Sequence, residues 1–185
     1  IYRNDEQLEE INKVADKIMS DFKSKGISVK YDNRTTYRPG AKFAQHELQG
    51  IPLRIAIGPK DLENGTVELA RRDTLNKEIV RLDNLSEVVN SLLEEIQNAL
   101  FKKALDFRNS HITEVDDFDT FKDIIDNKTG FISAHWDGSS ETEDKIKELT
   151  KSTIRCIPIE NKIEAGKCIL TGKPSKQRVL FAKSY

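Results

Sequence analysis

No apolar run in this 185-residue chain is longer than a few residues, so no stretch reads as a membrane-spanning helix. Cysteine is scarce. Cys156 and Cys168 cannot build a disulfide scaffold, and a reducing compartment is expected. Standing twelve residues apart, they also form no CxxC pair to seed a zinc site. The opening Ile1-Tyr2-Arg3-Asn4-Asp5 is already polar and does not read as a signal peptide. His46, His111 and His135 are the only histidines, and none falls in an HxxxH or HxH pair. Each reads as structural or surface. There is no GxxxxGK[ST] phosphate loop, Gly58-Pro59-Lys60 being a turn signal, and no GxSxG elbow. Carboxylates abound, but no spacing singles out an acid–base pair. The net charge of -1 argues against a chain coated in base for nucleic acid, although local patches remain open. By composition and spacing alone, this is a non-catalytic α/β module with an appended small domain.

What charge there is lies unevenly. Residues 30–54 carry five bases against two acids, 114–126 six acids against one base, and 162–185 six bases against one acid. Surfaces for different partners would look like this, as would ordinary solvated surface.

Apolar residues with helical spacing predict a helix over Asp5–Lys25, capped by Asn4 or Asp5 and stopped at Gly26. Alternation predicts strands at Ile27–Tyr31, Leu53–Ile57, Val67–Arg71 and Ile79–Leu82. A short helix from Pro39 to Leu48 fits Pro at a first helical position, and Asn64-Gly65 reads as a hairpin turn. The strongest signal is Leu85, Val88, Val89, Leu92, Leu93, Ile96, Ala99 and Leu100, one face of a long helix towards Asn109. Residues 1–108 thus read as an α/β unit. Only Ile1 and Tyr2 remain for a strand before the first helix, which suggests that the chain begins part-way through a larger protein. After a break near 109–116, helices are expected at 118–126 and 141–150, with Ser139 or Ser140 capping the second. Phe131–Ala134 and Val179–Ala182 read as strands, with Ile154, Ile157 and Ile159 flanking Cys156 and Pro158. There is no internal repeat or low-complexity tract.

Pro39-Gly40-Ala41-Lys42-Phe43, Glu47-Leu48-Gln49-Gly50-Ile51-Pro52-Leu53-Arg54-Ile55, Ile57-Gly58-Pro59-Lys60-Asp61 and Arg71-Arg72-Asp73 resemble the anticodon-binding domain of the prolyl-tRNA synthetase family. Ala134-His135-Trp136, Thr153–Pro158, Thr171–Pro174 and the ending Val179–Tyr185 resemble a C-terminal domain read as confined to the family's archaeal and eukaryotic-type branch. The resemblance covers essentially the whole chain. It implies a mixed-sheet α/β anticodon-binding domain of class IIa over 1–108, then a small α+β C-terminal domain over 114–185.

It also implies part of a soluble, cytoplasmic, homodimeric class II ligase that joins proline to tRNA(Pro) with ATP and Mg²⁺. The family's three catalytic motifs are absent here, so the chain alone is expected to be inactive, with no cofactor of its own. The family reads the two guanines of the proline anticodon. A carboxylate can accept the N1–H and N2–H₂ donors of guanine, and Lys or Arg can donate to O6 and N7. Lys42, Glu47, Arg54, Arg72 and Asp73 match the family's pattern and have that chemistry. Phe43 can stack on a base or belong to the core. Arg72 and Asp73 can equally form a local ion pair. Many family members hold a structural zinc on four cysteines; here the positions are Asp137, Thr142, Cys168 and Thr171. One thiol is left, so no metal is expected, and the Thr142 and Thr171 hydroxyls can take over by hydrogen bonding. Tyr185 is expected near the active site of an intact enzyme. A different class of function is a free-standing anticodon-like accessory or protein-interaction module, to be decided by the residues ahead of Ile1.

Overall fold

A computed structural model of the chain describes residues 1–2, 4–160 and 163–183. It divides into two units, Ile1–Lys102 and Lys103–Tyr185.

In the first unit, helix α1 (Asp5–Ser24) buries Ile11, Ala15 and Phe22. Asn4 is its cap, the side-chain oxygen accepting from Gln7 N–H at 3.0 Å. Gly26, at a φ of +74°, turns the chain away after it. Helix α2 (Pro39–Leu48) follows and buries no residue. Strands β1 (Leu53–Ala56), β2 (Thr66–Arg71) and β3 (Lys77–Arg81) form an antiparallel sheet in the order β1-β2-β3. Val67 and Leu69 of β2 point inward and are fully buried, as period-two alternation requires. Helix α3 (Pro59–Asn64) joins β1 to β2, and helix α4 (Leu85–Ser110) follows β3. Phe22, Ile27, Val67, Leu69, Val80, Leu85 and Val89 make the core.

Three expectations for this unit need correction. Ile27–Tyr31 carries no strand, although Ile27 is buried and Val29 packs on the core. Alternation reports a buried face and does not report a ladder partner. Asn64-Gly65 is no hairpin turn: Gly65 is the left-handed cap of α3, at a φ of +64°. The apolar face of α4 stops contributing after Ile96, and Leu100 is half exposed.

In the second unit, β4 (Ile112–Glu114), β5 (Phe131–His135), β6 (Ser152–Cys156) and β9 (Arg178–Lys183) form a sheet in the order β4-β5-β9-β6. The β4–β5 pair is parallel and the others antiparallel. A two-residue hairpin, β7 (Gly166–Lys167) with β8 (Pro174–Ser175), stands beside it in sequence. Helices α5 (Phe118–Asn127) and α6 (Ser140–Thr150) are capped by Asp117 and Ser139. Both caps accept from the third residue on, as capping demands. The core gathers Phe121, Ile132, Ala134, Ile146, Val179 and Phe181, all essentially fully buried. Strand β6 ends at Cys156, and Ile159 beyond it is fully exposed. Pro158 has no N–H to extend a ladder. The tail expectation at Tyr185 lies outside the described residues. Among those residues no helix is long and apolar enough to cross a membrane.

Candidate nucleic-acid interface

Helix α2, the N-terminal part of β1 and the end of β2 enclose a small cleft. Phe43, His46, Glu47, Ile51, Arg54, Ala70, Arg71 and Arg72 line it. Its volume is about 20 Å³, room for one water, so a base would engage the rim rather than sink in.

Arg54 comes from β1, opposite Ala70 in the ladder. Its guanidinium carbon stands 3.6 Å from the centre of the Phe43 ring, a cation–π contact. Its Nη1 stands 3.6 Å from Glu68 Oε1, too far for a hydrogen bond, and its buried Nε and Nη1 have no hydrogen-bond acceptor. Phe43 therefore meets Arg54 instead of joining either apolar core cluster. Glu47 and Arg72 are exposed at the rim. Arg72 Nε donates to the Glu47 backbone oxygen at 2.8 Å.

The structure thus brings Glu47, Arg54 and Arg72 to one cleft. Lys42 and Asp73 do not line it. Lys42 Nζ donates to the Asp32 backbone oxygen at 3.0 Å. Asp73 is held by Arg71 through two bonds, at 3.1 and 2.9 Å, and Arg71 also reaches Glu95 at 2.7 Å. These bonds hold the Asp73 carboxyl below its ordinary range and raise the Arg71 guanidinium above its own. Arg71, His46 and the cluster at Asp32 escape sequence reasoning. Arg71 carried one signal: it stands two residues past Leu69, on the inward face of β2, where a charge needs partners.

In the second unit, the positions that the resemblance assigns to zinc come together differently. Asp137 Oδ2 accepts from Thr142 Oγ1 at 2.9 Å and from Thr171 Oγ1 at 2.8 Å. Asp137 Oδ1 accepts from Ser139 N–H at 3.1 Å and from Ser139 Oγ at 2.9 Å. Cys168 is buried. One thiol with two hydroxyls already donating to a carboxylate does not fit a tetrahedral zinc site. Burial alone would raise the Asp137 carboxyl, but the bonds from Thr171, Ser139 and Thr142 outweigh it and hold it at about 2. Its contribution is therefore present above its ordinary value of 3.8 and is lost as pH falls towards 2. Asp137→Ala is expected to destabilise this unit by about 1–3 kcal/mol, because three hydroxyls and one backbone N–H lose their acceptor. Thermal unfolding with and without a chelator checks this. A large chelator-induced drop in Tm would show that a metal, and not Asp137, ties the loops.

Two family models match the chain. One described as "Anticodon binding domain" covers residues 3–92, and one described as "Prolyl-tRNA synthetase, C-terminal" covers 118–185. The α/β class with a mixed-sheet anticodon-binding region and a smaller α+β domain stands with them; the ladders described above in the first unit are its antiparallel pairs. The chain is 60% identical over its whole length to a proline–tRNA ligase of Christiangramia forsetii, 57% to one of Flavobacterium johnsoniae and 55% to one of Porphyromonas gingivalis. It spans only 37–38% of the length of these curated relatives. The expected assignment to an archaeal/eukaryotic-type enzyme is corrected by them. These relatives are bacterial and match through the tail, so that tail is no mark of the archaeal and eukaryotic branch. With one family model on each unit and end-to-end matches to such enzymes, the chain corresponds to the anticodon-binding and C-terminal region of a proline–tRNA ligase.

Proposed function

We propose that this chain binds tRNA(Pro) and reads its anticodon guanines at the cleft between α2 and the β1–β2 edge. Residues 1–108 serve as the anticodon-binding domain and 114–185 as the C-terminal domain. The observation that carries the reading is the convergence of Glu47, Arg54 and Arg72 on one cleft, with the Arg54 guanidinium against Phe43. Guanine O6 and N7 can accept from the arginines at the rim, and the exposed Glu47 carboxylate can accept from N1–H and N2–H₂. Arg72 adds a donor at the rim. Lys42 and Asp73 serve the same site from behind, through Asp32 and Arg71.

On this reading the chain is the RNA-reading part of a cytoplasmic, homodimeric enzyme that esterifies proline to tRNA with ATP and Mg²⁺. No residue of this chain is assigned to ATP, Mg²⁺ or proline, so the chain alone is expected not to activate proline.

Glu47→Gln keeps the shape but replaces one carboxylate oxygen by a donor. The preference for a proline anticodon stem–loop over a copy with both guanines changed to adenine is expected to fall by about tenfold. Binding should also weaken with salt, through phosphate contacts of Lys30 and Arg38 in the basic loop. Competition binding with the two RNAs measures both effects. Full discrimination by the Gln variant would remove Glu47 from the site.

A further inference from the structure

Helix α2 carries Phe43 and Glu47, yet it buries no residue of its own. A ten-residue helix with no fully buried residue has little apolar packing to fix its rotation beyond the contact of Phe43 with Arg54. On its other side it is held by one carboxylate from outside the helix. Asp32 accepts from Arg34 Nε at 2.8 Å and Nη2 at 2.6 Å, and from His46 Nε2 at 2.8 Å. Lys42 Nζ stands 3.7 Å from its Oδ1 and donates to its backbone oxygen. Arg34 Nη2 also donates to Gln45 Oε1 at 2.8 Å. Lys42, Gln45 and His46 lie at i, i+3 and i+4, so they share one face of α2. Phe43 and Glu47 are offset from that face by about 100°, towards the cleft.

We propose that Asp32 is a positioning residue for guanine recognition. By clamping Lys42 and His46 it sets the rotation of α2, and hence where Phe43 and Glu47 stand relative to Arg54. The carboxylate is well suited to this. It is mostly buried, with its side chain 14% exposed, and it faces Arg34, Lys42 and His46 together. Its carboxyl is held well below the ordinary range, chiefly by the bonds from Arg34, so it remains charged. The clamp belongs to the fold itself, whereas its consequence for specificity rests on the reading given under Proposed function.

The test has two arms on the same protein. Hydrogen exchange follows the amides of α2 with those of α4 as reference, and competition binding compares the proline anticodon stem–loop with its guanine-to-adenine copy. In Asp32→Ala, exchange in α2 is expected to rise about tenfold with α4 unchanged, and the guanine preference to fall by about tenfold. Asp32→Glu, which keeps the charge, should recover part of both. Should the Ala variant lose α4 protection as well, Asp32→Asn is read by the same measures, since it keeps the size and one acceptor. Unchanged exchange in α2 overturns the clamp. A loosened α2 with intact guanine preference overturns its role in recognition. Wild-type protein that shows no guanine preference would instead count against the proposed function, and the exchange arm would still decide whether Asp32 holds the helix.

Discussion

Arg54→Ala is expected to lower affinity for the proline anticodon stem–loop by about 30-fold while barely changing the stability of the fold. The two halves of that result have different physical causes. The affinity loss follows from removing a planar donor already fixed on Phe43; a good bidentate contact to guanine is worth about 1–3 kcal/mol. The small stability cost follows from what Arg54 lacks. Its Nε and Nη1 make no hydrogen bond, and the nearest carboxylate oxygen, of Glu68, is shared with Lys77 at 3.3 Å. Folding therefore loses only the ring contact and a long ion pair, about 1 kcal/mol. Arg54→Lys separates charge from shape. An ammonium keeps the charge but cannot stack flat or donate in parallel, so most of the loss should remain. Titration with labelled stem–loop and parallel thermal melts make the comparison. Affinity within twofold of wild type for both variants would show that the stacked guanidinium is only a strut between α2 and β1.

The largest stability effect is expected in the other unit. Phe181 is fully buried on β9, the strand flanked by β5 and β6. Its ring meets Phe121 edge-on, with centres 5.2 Å apart. Phe181→Ala removes that contact and leaves a cavity where sheet and helix α5 meet, a change that typically costs about 3–5 kcal/mol. The chain has one tryptophan, Trp136, and it packs against this same core. Its fluorescence therefore reports this unit during denaturant unfolding. The midpoint in the Phe181 variant should fall far below that of wild type, whereas a shift of less than about 1 kcal/mol would mean that the core closes over the gap.

Helices were the most legible part of the sequence. In α1 and α5 the apolar residues recur at three and four, and a polar cap stands ahead of these helices and of α6. Strands were legible where alternation coincided with pairing, as at Val67 and Leu69. They were illegible where it did not, as at Ile27–Tyr31, because a ladder is a relation between two segments. β4, β7 and β8 are two or three residues long and leave no period to detect. At the cleft, Glu47, Arg54 and Arg72 were reached through resemblance to a family, since no local rule marks an arginine on a short strand as lacking a hydrogen-bond acceptor. Asp32 stayed hidden for a related reason. Among the bases of residues 30–54 it reads as one acid in a basic loop, and its partners lie 2, 10 and 14 residues on. Only the fold brings them to one carboxylate.

The attachment of α2 through Asp32 also sets how the cleft responds to temperature. A helix docked by apolar packing loosens in the cold, because the hydrophobic contribution fades as water is cooled. Its release exposes apolar surface and carries a positive heat-capacity change. α2 buries no residue, so its release exposes little such surface and the associated heat-capacity change is small. The free energy that seats it is correspondingly flat on cooling. The α2 side of the cleft keeps its shape at low temperature even where the core of Phe22, Leu69 and Val89 beneath the same unit loses part of its driving force.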